Sequence, residues 1–144
     1  MIKNERQYRI TKAHALRFEQ TIADVQSRPK PAIHPKLRKA EIDGLRSQLE
    51  DLERELRDYE GLRSGKRRAI LLDSIEGLPK TLIQARIAAG LSHEELARKV
   101  GLKPQQIQRY EATDYQSASL ERVNEIVRAL GVKLRHPAEL RVVS

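Results

Sequence analysis

"GLSHEELARKVGLKPQQIQRYEA", residues 90–112, contains two short helical patterns separated by one tight turn. Ser92 stands before the first pattern as an N-cap, and Glu95 three residues later completes a capping box. Leu96, Ala97 and Val100 form its apolar side, and Gly101 sits where left-handed backbone commonly ends a helix. The second pattern opens only about three residues further on, with Pro104 in its first turn and Ile107 and Tyr110 facing inward. Its remaining surface holds Gln105, Gln106, Gln108 and Arg109, side chains that hydrogen-bond rather than pack.

The flanks complete a small helical core. Upstream, "LPKTLIQARIAAG" gives a helix with Leu82, Ile83, Arg86 and Ile87 near one side, closed by Gly90. Downstream, "SASLERVNEIVRALGV" gives another, with Leu120, Val123, Ile126, Val127 and Leu130 on its apolar side and Gly131 at the stop. Two short helices joined by a tight turn and buttressed on both sides make a helix-turn-helix arrangement.

The N-terminal half has a different pattern. From Thr11, a plausible N-cap, Ala15, Phe18, Ile22 and Val25 follow helical spacing, and the helix ends before "SRPKPAIHP", whose three prolines forbid its continuation. A second helix from about Pro35 to Leu62 carries Ile42, Leu45, Leu49, Leu52, Leu56 and Tyr59 at alternating spacings of three and four, a heptad seam. At about 1.5 Å per residue it is roughly 40 Å long, and so narrow a stripe needs a partner. The first helix supplies one as an antiparallel hairpin; a second copy of the chain supplies another, and pairing between copies is the favoured expectation. "GLRSGKRR", residues 61–68, then reads as a basic hinge in which Arg67 and Arg68 are either a solvated linker or a phosphate-contacting arm. "AILLD", residues 69–73, fits a short strand or the first turn of a helix.

These divisions give a hairpin over 1–62, a linker over 63–78, a helix-turn-helix domain over 79–135 and a tail over 136–144. The expected fold class is all-α: an N-terminal helical hairpin or coiled coil followed by a five-helix-type domain. Composition agrees, since 3% of the 144 residues are aromatic and 33% charged, leaving Leu, Ile, Val and Ala to build the cores. The net charge of +8 leans toward the C-terminal part, where residues 79–144 hold 11 basic and seven acidic side chains, so a polyanionic partner is expected on that side. The absence of cysteine excludes disulfides and thiolate metal sites. A charged start without an apolar stretch, and no run long enough to span a membrane, make the cytoplasm the default location and exclude a membrane partner.

Residues 79–135 resemble the XRE, or Cro/cI-type, helix-turn-helix domain of bacterial and phage repressors. The resemblance rests on "ARIAAGLSHEELARKVGL", "IQRYE" and "LERVNEIVRALGV", in that order and spacing, and covers about two fifths of the chain. "QQIQRYEATDYQSASL" is also similar to a stretch in a subgroup with an N-terminal helical extension. The resemblance implies that the helix from Pro104 to Glu111 enters the DNA major groove. Gln105, Gln106, Gln108, Arg109 and Lys103 are then the base-contacting candidates, because glutamine amides can pair with adenine and arginine with the two acceptors of guanine. It further implies backbone-phosphate contacts from Ser92 and His93, with Tyr115 and Ser117 able to approach a phosphate. Arg86 and Glu111 match positions that form a partly buried ion pair. The chain departs from the family at Ala112, Thr113, Asp114 and Tyr115, where many members place a glycine.

The implied function is a sequence-specific transcription regulator, a repressor or autoregulator, acting in the nucleoid of a bacterial cytoplasm as a homodimer on palindromic double-stranded DNA. A second reading is a type II antitoxin that binds a toxin protein through the N-terminal helices and represses its own operon. No cofactor is expected. Catalysis is disfavoured, since His14, His34, His93 and His136 show no metal-ligand spacing and no phosphate-binding glycine loop is present.

Overall fold

The computed structural model describes residues 1–29, 34–66, 69–70, 72 and 74–134. It is all-helical, with no strand among the described residues, and divides into two compact units, Met1–Ile70 and Leu71–Ser144.

The first unit is an antiparallel pair, α1 (Glu5–Ser27) and α2 (Pro35–Arg63). α1 begins well before Thr11, the N-cap expected from the apolar stripe. Asn4 caps it, its Oδ1 accepting from the Gln7 amide at 2.9 Å, while Gln7 Oε1 accepts from the Lys3 amide at 2.8 Å. Two orphan amides are thereby satisfied by a reciprocal exchange between side chains. The first turns are polar apart from Tyr8 and Ile10, so the stripe alone places the start too late.

Tyr8 extends the α1 seam, and its ring stacks on Tyr59 of α2 with centroids 5.3 Å apart. From that layer, each step of three or four residues forward along α1 is matched by an equal step back along α2. Ala15 thus falls level with Leu52, Phe18 with Leu49, and Ile22 with Leu45. The ends are pinned by polar contacts. Tyr8 Oη donates to Glu60 at 2.6 Å and Arg63 pairs with Glu5 at 2.7 Å. At the opposite end Arg38 donates to the carbonyls of Val25 and Gln26, satisfying the last turn of α1. Ile2, Ala15, Ile22, Val25, Tyr59 and Leu62 are buried, whereas Ile42, Leu45, Leu49, Leu52 and Leu56 are half-buried. The seam expected to pair chiefly between copies is therefore lined by α1 of the same chain.

The second unit contains a single 3-10 turn (Ile75–Gly77), then α3 (Leu78–Ala88), α4 (His93–Lys99), α5 (Pro104–Ala112) and α6 (Leu120–Ala129). Four α-helices and this turn stand where a five-helix-type domain was expected. Ala69, Ile70 and Leu72 adopt neither the strand nor the helical turn expected of residues 69–73. Arg67 and Arg68 lie outside the described residues, as does the tail 136–144.

Leu82, Ile83, Ile87, Leu96, Ala97, Ile107 and Ile126 form the buried core of this unit. Leu120 does not join it: at the first position of α6 it is 82% exposed. The stripe on α6 therefore splits, with Ile126 facing the core and Leu120 turned away.

Gly44 lies within α2, where a Cβ would meet nothing within 4 Å. Gly44→Ala should therefore stabilise the hairpin by about 0.5–1 kcal/mol through reduced unfolded-state freedom, read as a higher denaturation midpoint in urea.

Candidate nucleic-acid interface

Two tight helix endings set the geometry of α3, α4 and α5. After α3, Gly90 (φ 69°) lets the Leu91 amide reach back to the Arg86 carbonyl at 3.1 Å. After α4, Gly101 (φ 66°) lets the Leu102 amide reach the Ala97 carbonyl at 2.9 Å. These are Schellman endings, in which the left-handed residue reverses the chain without a Cβ penalty. α4 starts on the expected capping box: Ser92 Oγ accepts from the Glu95 amide at 3.1 Å and Glu95 Oε2 from the Ser92 amide at 2.7 Å. Those bonds hold the Glu95 carboxyl below its ordinary range.

α5 ends in the same way without glycine. The Tyr115 amide donates to the Tyr110 carbonyl at 2.7 Å, with Asp114 (φ 47°) and Tyr115 (φ 59°) both left-handed. Aspartate tolerates this region better than most residues; a bulky tyrosine there stores strain. Tyr115 is held by burial, at 5% exposure, and by stacking on Tyr110 at 6.0 Å. Its hydroxyl is enclosed without a hydrogen-bond partner, and burial pushes its pKa far above the ordinary tyrosine range. In this arrangement Tyr115 presents no group to a phosphate, contrary to the sequence expectation. It is the plug of the α5–α6 loop, a role that depends on tertiary enclosure rather than local pattern. Ser117 remains exposed, its Oγ 3.4 Å from Thr113 Oγ1.

Beneath this surface lies a charged cluster. Arg86, 3% exposed, grips Glu111, 1% exposed, through Nε to Oε1 at 2.5 Å and Nη2 to Oε2 at 2.8 Å. Arg86 Nη1 also donates to the Leu91 carbonyl at 2.8 Å. The same Oε2 accepts from His93 Nε2 at 2.8 Å. Burial pushes the Glu111 carboxyl up, but the hydrogen bonds from His93 and Arg86 and the Arg86 charge outweigh it, and the net shift is downward. The Arg86–Glu111 pair thus has the expected geometry. His93 differs from its sequence reading as an exposed residue or phosphate contact: Nε2 is turned inward and only 14% of the side chain is exposed. Its proximity to Glu111, 18 positions away, has no local sequence signal.

With Ile107 and Glu111 facing inward, α5 presents Gln105, Gln106, Gln108 and Arg109 to solvent, and Lys103 is exposed at its N-cap. Gln105 and Arg109 lie one turn apart on the same side. Gln106 is already engaged, its Oε1 accepting from the Lys103 amide at 3.1 Å. It therefore caps the helix that Pro104 opens. Among the described residues, no group of three or more acidic or histidine side chains converges as metal ligands would, and no helix is long and apolar enough to cross a membrane.

Residues 82–136 match a helix-turn-helix family. No curated protein and no solved structure gives a significant match.

Two measurements check this geometry. Tyr115→Phe removes an enclosed, unpartnered hydroxyl and should raise stability by about 1 kcal/mol in chemical denaturation. Glu111 has a folded pKa below its ordinary 4.5, so its contribution is present above that pH and is lost as pH falls through the lower folded value. Glu111→Gln should flatten this acid limb in pH-dependent melts and cost roughly 3–5 kcal/mol, because Arg86 is left buried without its anion.

Proposed function

We propose that this chain, a DNA-binding transcription regulator with an XRE-type helix-turn-helix domain over residues 82–136, acts as a dimeric repressor of a palindromic operator. The observation that carries the reading is the exposed polar side of α5. Gln105, Gln108, Arg109 and Lys103 stand clear of the core while Ile107 and Glu111 lock the opposite side into it. In the major groove, Gln105 would pair with adenine and Arg109 with guanine. Gln106 would add a base contact once released from its cap. Ser92, His93 and Ser117 lie on the flanking segments assigned to the DNA backbone. Single recognition helices bind modestly, and coupling two raises affinity through effective concentration. Half-sites should lie about one helical turn apart.

A second reading is supported by the hairpin, which exposes Ile10, Leu16 and Leu37. Such side chains suit a protein partner, and a toxin docked beside the Ile42–Tyr59 seam would make the chain an antitoxin that represses its own operon. Complex formation with the product of an adjacent reading frame tests this; growth arrest by that product, relieved by this chain, would support it.

The DNA reading is tested by gel-shift titration on upstream and scrambled duplexes at two salt concentrations. The double substitution Gln105→Ala with Arg109→Ala should abolish the preference for the upstream duplex, leaving weaker, salt-sensitive binding to both. Unchanged preference would remove α5 as the reading helix.

A further inference from the structure

α6 has two apolar sides, and the core uses only one. Ile126 is fully buried, whereas Leu120, Val123, Val127 and Leu130 form a second stripe at spacings of three, four and three. Leu120 heads it at 82% exposure, and the other three are half-buried. A lone exposed leucine is ordinary, but one that heads a continuous, partly uncovered stripe marks a contact surface.

The charges beside the stripe identify its occupant. Arg122 and Glu125 pair with each other within α6. Glu121 and Arg128 are both exposed and have no ion-pair partner among the described residues. Seven positions separate them, about 10.5 Å along the axis, too far to pair within one helix, yet they lie along the same side of it. A second α6 laid antiparallel about a two-fold axis sets Leu120 against the partner's Leu130 and Val123 against the partner's Val127. The same operation sets Glu121 beside the partner's Arg128, and Arg128 beside the partner's Glu121. A parallel arrangement would oppose like charges instead.

We infer that α6 is a self-association surface, pairing antiparallel with α6 of a second copy of this chain. The inference rests on the proposed action as a dimer and assigns the contact to the DNA-binding unit rather than to the hairpin seam. The stripe is short, so the pairing is of the weak, transient class. Two-fold symmetry makes the surface self-complementary, each contact occurring twice.

Sedimentation velocity of the full chain, across a concentration series and without DNA, tests the inference. Wild type should dimerise reversibly. Leu120→Glu should raise the dissociation constant at least about tenfold, since two buried leucines are lost per dimer. Glu121→Arg and Arg128→Glu should each weaken association several-fold, and combining them in one chain should restore it, because opposite charges again meet across the axis. All three positions are at the surface, and circular dichroism checks that each variant is folded. A wild type that stays monomeric at the highest concentration overturns the inference. So does a dimer whose constant is unmoved by Leu120→Glu, or charge changes that fail to compensate. Binding to a single half-site, measured separately, tests the DNA reading, so the two failures are distinguishable.

Discussion

One carboxylate holds the DNA-binding unit in shape. Glu111 lies on the inner side of α5 and takes hydrogen bonds from Arg86 of α3 and His93 of α4. Three helices thereby meet at two oxygen atoms. Burying such ions costs desolvation energy, so the cluster is better understood as fixing an arrangement than as adding net stability. A helix of nine residues has few apolar contacts with which to set its own orientation. With Glu111 clamped, the outer side of α5 is aimed by the inner one, and Gln105 and Arg109 inherit their direction from a residue that stays away from solvent.

The turns around this cluster work toward the same end. Gly90 and Gly101 let α3 and α4 finish abruptly, so the connections are too short to wander. The α5–α6 connection reaches the same stiffness at a higher conformational cost, with an aspartate and a tyrosine in left-handed backbone and an aromatic stack covering them. That cost is sustained because Tyr115 fills space that glycine would leave empty.

Local chemistry was legible in the sequence, and long-range choices were not. The Ser92–Glu95 box, the reversal at Gly101, the inward direction of Ile107 and the heptad seam of α2 each depend on residues within a turn or two of one another. The start of α1 escaped because its cap exchange involves Lys3, Asn4 and Gln7, before the apolar stripe becomes regular. Leu120 and Ile126 belong to one apolar pattern, and only packing decides which of them the core takes. His93, Gln106 and Tyr115 were read as interface groups by type and position. Their inward commitments depend on a buried carboxylate, a helix start without an amide hydrogen and an enclosed loop. The Arg86–Glu111 pair lay in between: its two residues were visible, but the resemblance, not the spacing, joined them.

The hairpin has a further property that follows from its layers. Because steps along α1 and α2 mirror each other from the Tyr8–Tyr59 stack onward, a single inserted residue would turn every later side chain by about 100° and break the match. Seven residues added at level points in both helices would keep it, lengthening the rod by about 10 Å while leaving both of its ends unchanged. The hairpin is thus a ruler graduated in heptads, free to change length over evolutionary time only in whole divisions.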